Sequence, residues 1–306
     1  MKTINKTTLF LSLTFIISFS LAGIYTQIVD DPYNKTAFTI LGVIYMFIPT
    51  LCVILVKKVI HKEKLTKDLM ISFKINKWFF VAWLIMPVIS FSTVGISLLI
   101  FPNITYSPEM TGLINRFEFM LTPEQIEQAK KSLEAMPFNP IWMILTEGLL
   151  AGITVNAVAG FGEELGWRGF LLKEYKDLSF FKAALIIGFI WGFWHAPLIL
   201  MGHNYPLHPR IGVLMMIILC ILLSILLLYI TIKSRSVIAA AIAHGTMNAT
   251  AGISIMLVNG GNDLTTGLPG LAGFVTLSIF ILLLFIYDYF ISKDKILVNK
   301  ISYSLK

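Results

Sequence analysis

The sequence predicts an all-α, polytopic transmembrane helical bundle of about eight spans, with both termini on the cytoplasmic side. Three observations carry this reading. Of the 306 residues, 57% are hydrophobic and 13% charged; a soluble domain carries about a quarter charged residues, so this chain has too few charges to cover a water-facing surface. Its apolar runs reach the roughly 20 residues that a helix needs to cross a bilayer. Its lysines gather in short loops beside those runs, on one side of the predicted membrane. Disorder and a soluble repeat array are excluded, and no internal repeat is visible.

The predicted spans lie near 7–29, 37–56, 78–101, 141–162, 180–200, 211–232, 237–258 and 269–291. Lys2 and Lys6 precede the first run, but no small-residue cleavage site follows, so it reads as an uncleaved span. The loop from Lys57 to Lys77 holds seven lysines and two acids and is expected to lie on anionic headgroups. Segment 102–139 is expected outside, as a turn and then a helix from Pro123 to about Met136. Thr122 at N-cap, Pro123 at N1 and Gln125 at N3 form a capping-box pattern, and Pro137 and Pro140 end the helix. The fourth span is expected to run on through Arg168 to about Lys176. This divides the chain into an N-terminal transmembrane region (1–139), a core (140–260), and a last helix with a cytoplasmic tail (261–306).

Charge sets the sidedness. With the N-terminus inside, the cytoplasmic segments hold 18 Lys/Arg and 6 Asp/Glu, and the opposite side 5 and 8. A bias of that size, in one direction, is the positive-inside pattern. It accounts for the formal net charge of +7 without nucleic acid as a partner; membrane lipid is the partner it implies. The lysine- and isoleucine-rich composition and short loops point to a bacterial plasma membrane. Cys52 and Cys220 lie in apolar runs without metal-ligand spacing and read as small apolar fillers.

Function is legible where ionisable groups enter apolar helices, since such groups are costly there and mark functional positions. Glu163, Glu164 and Arg168 lie in GFGEELGWRGFLL; Glu164 and Arg168 are four apart and share a helix face. His195 lies in GFIWGFWHAPLIL, one turn after Trp191, with Pro197 permitting a local break. His244 and Asn248 are four apart in IAAAIAHGTMNAT, among small residues that permit close helix approach. Glu163 precedes Lys176 by 13 residues, His195 follows Lys182 by 13, and His244 follows Arg235 by nine. At 1.5 Å per residue these offsets are about 20, 20 and 14 Å, so three helices of alternating direction bring their polar groups to similar depth.

A carboxylate and a histidine at one depth can hold and deprotonate water, and a second histidine with an asparagine can donate to a developing oxyanion. Hydrolysis of an amide is the chemistry this suggests. A divalent metal such as zinc is the alternative, with Glu163, His195 and His244 as its ligands, although no H-E-x-x-H helix is present; no cofactor is favoured. A proton-coupled transporter also uses buried Glu, Arg and His. Trp167, Trp191 and Trp194 are candidates for lining a substrate cavity. His203 and His208 have no carboxylate or cysteine beside them in sequence and are not read as a metal pair.

These three segments resemble the CAAX prenyl protease type 2 family, also called the CAAX protease and bacteriocin-processing, or Abi, family. Its pattern of Glu-Glu-x-x-x-Arg, aromatic-x-x-x-His and His-x-x-x-Asn reads here as Glu163-Glu164-Leu165-Gly166-Trp167-Arg168, Trp191-Gly192-Phe193-Trp194-His195 and His244-Gly245-Thr246-Met247-Asn248. The second motif often begins with Phe and here begins with Trp. The resemblance implies an intramembrane endopeptidase acting on a membrane-associated peptide or protein. Glu163 and His195 would activate water without a metal, His244 and Asn248 would form the oxyanion hole, and Glu164 and Arg168 would support them. A non-catalytic bacteriocin-immunity scaffold is the alternative within the family. Substrate identity and oligomeric state do not follow from the sequence.

Overall fold

The computed structural model describes residues 5–29, 34–65, 69–137 and 139–304, and it folds the apolar runs into an all-α bundle. Lys2, residues 66–68 of the basic loop and the side chain of Lys35 lie outside the described residues. From the N-terminus the helices are α1 (Lys6–Ile28), α2 (Lys35–Ile54), α3 (Lys77–Ile100), α4 (Gly112–Phe117), α5 (Pro123–Glu134), α6 (Pro140–Ile153) and α7 (Val155–Glu174). There follow α8 (Phe180–Trp194), α9 (Ala196–Leu200), α10 (Pro209–Ser234), α11 (Val237–Thr250), α12 (Ile253–Met256), α13 (Leu271–Phe290) and α14 (Ile301–Ser304). Two-residue strands β1 (Thr105–Tyr106) and β2 (Val258–Asn259) pair antiparallel.

Helices α1, α2 with its π-helical extension Leu55–Ile60, α3, α10 and α13 are each long and apolar enough to cross a bilayer. The pair α6 and α7, bent by 48°, makes a sixth when taken as one broken span. The chain is a multi-pass membrane protein. Large apolar side chains such as Leu99 and Phe290 stand exposed around the bundle, as they must where the solvent is hydrocarbon. Helix α10 is the central element and the most buried of the five.

Three expected spans are interrupted. The fourth breaks at Thr154, whose hydroxyl donates to the Leu150 carbonyl at 2.7 Å. Beside the break, α6 presses so closely on α11 that a Cβ at Gly152 would lie 2.3 Å from Thr246 Oγ1. The fifth span breaks at His195, where Pro197 opens α9. The seventh stops at Thr250, because the chain turns there to lay β2 against β1. In the segment 102–139 the predicted helix forms as α5, with both arms of the capping box present; the short α4 carried no comparable sequence signal.

Small residues set the closest helix contacts. A Cβ at Gly245 on α11 would meet the Ala157 backbone of α7 at 2.6 Å, and one at Gly188 on α8 would meet Ile221 Cα of α10 at 2.5 Å. At such positions any side chain forces the backbones apart. At the basic end, Lys6 pairs with Glu63, and the buried Lys57 reaches the same carboxylate at 3.4 Å. The hydrogen bond from Lys6 holds the Glu63 carboxyl below the ordinary carboxylate range.

Gly188→Val is expected to destabilise the bundle by about 1–3 kcal/mol, the usual cost of overpacking. Gly23→Val, where nothing lies within 4 Å of the added Cβ, should leave stability unchanged. Thermal unfolding in detergent reads both, and equal melting of the two variants would refute the α8–α10 contact.

Candidate active site

The three polar segments of the sequence meet at the break points of the bundle. Glu163 and Glu164 end the regular part of α7, where the helix widens into a π-helical stretch over Leu165–Leu171. Such widenings displace side chains from the regular helical faces and recur at functional sites. His195 occupies the junction between α8 and α9. His244 and Asn248 share a face of α11.

Glu163, Trp191, Trp194, His195, His244 and Asn248 all line one cavity of about 370 Å³. Glu163, His195 and His244 are buried and Asn248 is exposed. Trp167 stays outside this lining: its buried ring packs edge-on against Phe10 and Trp194. The N-terminal region contributes a wall, with Phe38, Gly42, Tyr45 and Met46 of α2 in the lining. The Tyr45 hydroxyl donates to the Trp194 carbonyl at 2.8 Å, and the Trp194 indole donates to Ser18 Oγ at 2.8 Å.

Hydrogen bonds orient the two glutamates and the two motif histidines. His195 Nδ1 lies 2.8 Å from the Trp191 carbonyl. A carbonyl only accepts, so Nδ1 carries the proton and Nε2 keeps the lone pair. Trp191 Nε1 donates to Glu163 Oε2 at 2.7 Å, leaving Oε1 for another partner. Glu164 Oε1 accepts from His244 Nδ1 at 2.8 Å and from Arg168 Nη1 at 2.9 Å. With Nδ1 committed, His244 donates from Nε2 only as an imidazolium, the form that a carboxylate neighbour such as Glu164 can pair with. The Arg168 guanidinium stacks over the Trp191 ring at 4.2 Å from its centroid, a cation–π contact.

Trp191 therefore touches three of the groups: Arg168 through its face, Glu163 through its N–H and His195 through its carbonyl. Sequence reasoning took it as a wall of the cavity. A tryptophan opening the second motif, where Phe is common, was the signal for a donor at this position.

Among the described residues, no three His, Cys, Asp or Glu side chains converge to hold a metal ion. Glu163, His195 and His244 therefore do not stand as a ready ligand set, although each keeps one polar atom free of a hydrogen bond. His203 and His208 part company as well. His208 Nδ1 pairs with the buried Asp263 at 2.6 Å, while His203 lines the cavity and packs on the Phe38 ring.

Arg168 and Glu164 are fully buried. Arg168→Met removes one of the two groups that Glu164 pairs with and is expected to cost about 3–5 kcal/mol, whereas removing both charges should recover much of that loss. Detergent melts of Arg168→Met and of the double variant with Glu164→Gln test the coupling. A single variant as stable as wild type would show that the pair carries no such load.

Residues 138–250 match the family model described as type II CAAX prenyl endopeptidase, Rce1-like. A CAAX prenyl protease 2 of Methanococcus maripaludis is 35% identical over 92 residues, which make up 28% of this chain and 34% of that protein. The chain therefore spans about a third of the length of the curated relative it matches. The matched region holds every one of the cavity's motif residues, from Glu163 to Asn248, and it is over this region that the chain is similar to the Rce1-like type II CAAX prenyl endopeptidases.

Proposed function

We propose that this chain is an intramembrane endopeptidase that hydrolyses a peptide bond of a membrane-associated peptide or protein. One observation carries the proposal: Glu163, His195, His244 and Asn248 line a single cavity at membrane depth. Water sits between Glu163 Oε1 and the His195 Nε2 lone pair. Glu163 takes a proton as the water oxygen attacks the carbonyl carbon. The His244 imidazolium, from Nε2, and the Asn248 amide donate to the resulting oxyanion. As the tetrahedral centre collapses, the C–N bond breaks and the proton passes from Glu163 to the leaving nitrogen. Glu164 and Arg168 act behind this set, the first by holding His244 and the second by pairing with Glu164 and bracing Trp191. Trp194 and Trp191 form the wall on one side. No metal takes part in this scheme.

The unit 140–260 supplies the reacting groups, residues 1–139 complete the walls, and 261–306 form a final span and tail. Eight crossings follow when α8 with α9 and α11 with α12 each count as one beside the six apolar spans. An even number returns the chain to its starting side. The basic loops then all fall at one end, which supports both termini in the cytoplasm and a bacterial plasma membrane as the location.

Glu163→Gln keeps the side-chain volume and removes the base; peptide processing should fall by about 10²–10⁴-fold with the melting temperature retained. Asn248→Ala should lower kcat by about 10²–10³-fold, as for one oxyanion donor. Comparing membrane and secreted peptides from cells with wild type or Glu163→Gln, at matched protein levels, identifies the substrate as the peptide left uncleaved. Unchanged peptides with the cellular function retained would instead favour a non-catalytic scaffold. A chelator should leave the purified enzyme's rate unchanged; loss of activity restored by zinc would refute the metal-free scheme.

A further inference from the structure

Each helix that lines the cavity does so with the part lying away from the basic loops. On α2 the lining residues are Phe38, Gly42, Tyr45 and Met46, from its first turn to just past its midpoint, and the helix ends towards Lys57 and Lys58. On α10 they run from Met216 to Leu223, while Lys233 and Arg235 lie at the far end. On α8 they are Trp191 and Trp194, which close a helix that carries Lys182 in its first turn. On α11 they are His244, Met247 and Asn248, after a start beside Arg235.

Depth agrees with this placement. Glu163 and His195 each lie 13 residues from a basic marker. That is about 20 Å of helix in a hydrocarbon core of about 30 Å, and His244, nine residues from Arg235, lies about 14 Å in, so the reacting groups range from mid-core towards the opposite face.

The rim at that face is a built structure. His203 and Asn204 are exposed and line the cavity together with Leu268 and Pro269. The two rim loops are tied to each other. The Tyr205 hydroxyl donates to the Pro269 carbonyl at 2.7 Å. Buried Asp263 accepts from the backbone N–H of Leu207 at 2.8 Å and of His208 at 3.2 Å, and it pairs with the His208 ring. Arg116, from the segment before α5, donates to Thr266 in the second loop. The walls between rim and reacting groups are apolar, including Leu198, Met216, Leu219 and Met247; His203 faces them at the rim, and Glu163, His195 and His244 lie behind them.

We infer that the cavity takes its substrate through this rim, from the non-cytoplasmic face, and that the substrate is an apolar stretch of a peptide presented there. Among the described residues no Lys or Arg lines the cavity, and its apolar walls suit the interior of such a stretch. This rests on the endopeptidase reading for the cut and on the charge bias for the side.

Single cysteines test it in intact cells with a membrane-impermeant maleimide. Cys220 lines the cavity one turn from Met216, so the parent protein carries Cys220→Ala, and Cys52, buried and outside the lining, supplies the background. Asn204→Cys probes the rim, Met216→Cys the cavity wall and Lys64→Cys the basic loop; each is made in this parent with and without Glu163→Gln. The expected result is labelling of Asn204→Cys, and more slowly of Met216→Cys, in intact cells, with Lys64→Cys labelled only after permeabilisation. Labelling of Met216→Cys only after permeabilisation, or in neither condition, overturns the inference. Labelling of Lys64→Cys from outside, with Asn204→Cys protected, overturns it too and shows the chain inverted. The same pattern in Glu163→Gln separates the entrance from the chemistry: a failed peptidase reading leaves the labelling unmoved, and a failed entrance leaves the loss of processing in Glu163→Gln unmoved.

Discussion

The rest of this structure depends on how a buried guanidinium is accommodated. Arg168 is fully enclosed in a bundle whose exterior is hydrocarbon, where an uncompensated charge would cost many kcal/mol. It is neutralised by Glu164, one turn away on the same helix, and covered by the Trp191 ring of α8. Each partner then has a second contact. Glu164 accepts from His244 on α11, and Trp191 donates to Glu163 on α7. One cation thus joins three helices, and the side chains that must face the cavity are those left over once its needs are met. The cost of burying Arg168 is recovered as orientation: Glu163, His195 and His244 each have one polar atom held and one free.

How much of this was legible in the sequence follows from what each feature depends on. The five long spans are local facts, set by runs of apolar residues, and α5 is local too, since Thr122, Pro123 and Gln125 specify its start without help from elsewhere. The polar intrusions were legible because the membrane penalises them; their positions, and their similar depth, follow from counting residues to a basic marker at the helix end. The breaks were legible in part. Pro197 announces the interruption at His195, but Thr154 carries no such mark, because that bend is imposed by the packing of Gly152 on Thr246. The end of α11 was hidden for the same reason: β2 exists only because β1, some 150 residues earlier in the chain, lies beside it. The roles of Trp191 and Asp263 were hidden as well. An indole N–H and a lone loop aspartate look ordinary until the fold brings Glu163 to the one and His208 to the other.

Buried aspartates fasten both ends of the bundle by one physical device. At the rim, Asp263 gathers two backbone N–H groups and a histidine. At the basic end, Asp288 of α13 accepts from the backbone of Ile296 and Leu297 and from the Tyr229 hydroxyl, which ties the C-terminal segment to α10. A carboxylate that accepts several N–H bonds is well satisfied even when buried. Each aspartate thereby converts a loop with free backbone donors into a fixed surface. At the rim that surface is the frame of the cavity, and a fixed frame is what the proposed hydrolysis needs if its water is to be placed repeatedly in the same position.

The site also coincides with irregular backbone. Helix α7 leaves regular geometry just after Glu164, α8 gives way to α9 at His195, and α11 ends two residues after Asn248. Within a bilayer, backbone that departs from the helix is tolerated only where it is enclosed in protein or lines a polar cavity, because lipid cannot satisfy the freed N–H and C=O groups. The dependence runs both ways. A cavity holding Glu163, two histidines and Asn248 supplies the polar surroundings that permit the breaks. The breaks in turn aim His195 and Glu163 at one volume, from helices whose straight continuations would carry them past each other. Replacing either motif by apolar residues would leave the freed backbone groups beside it without polar surroundings, so the site and the bend depend on each other.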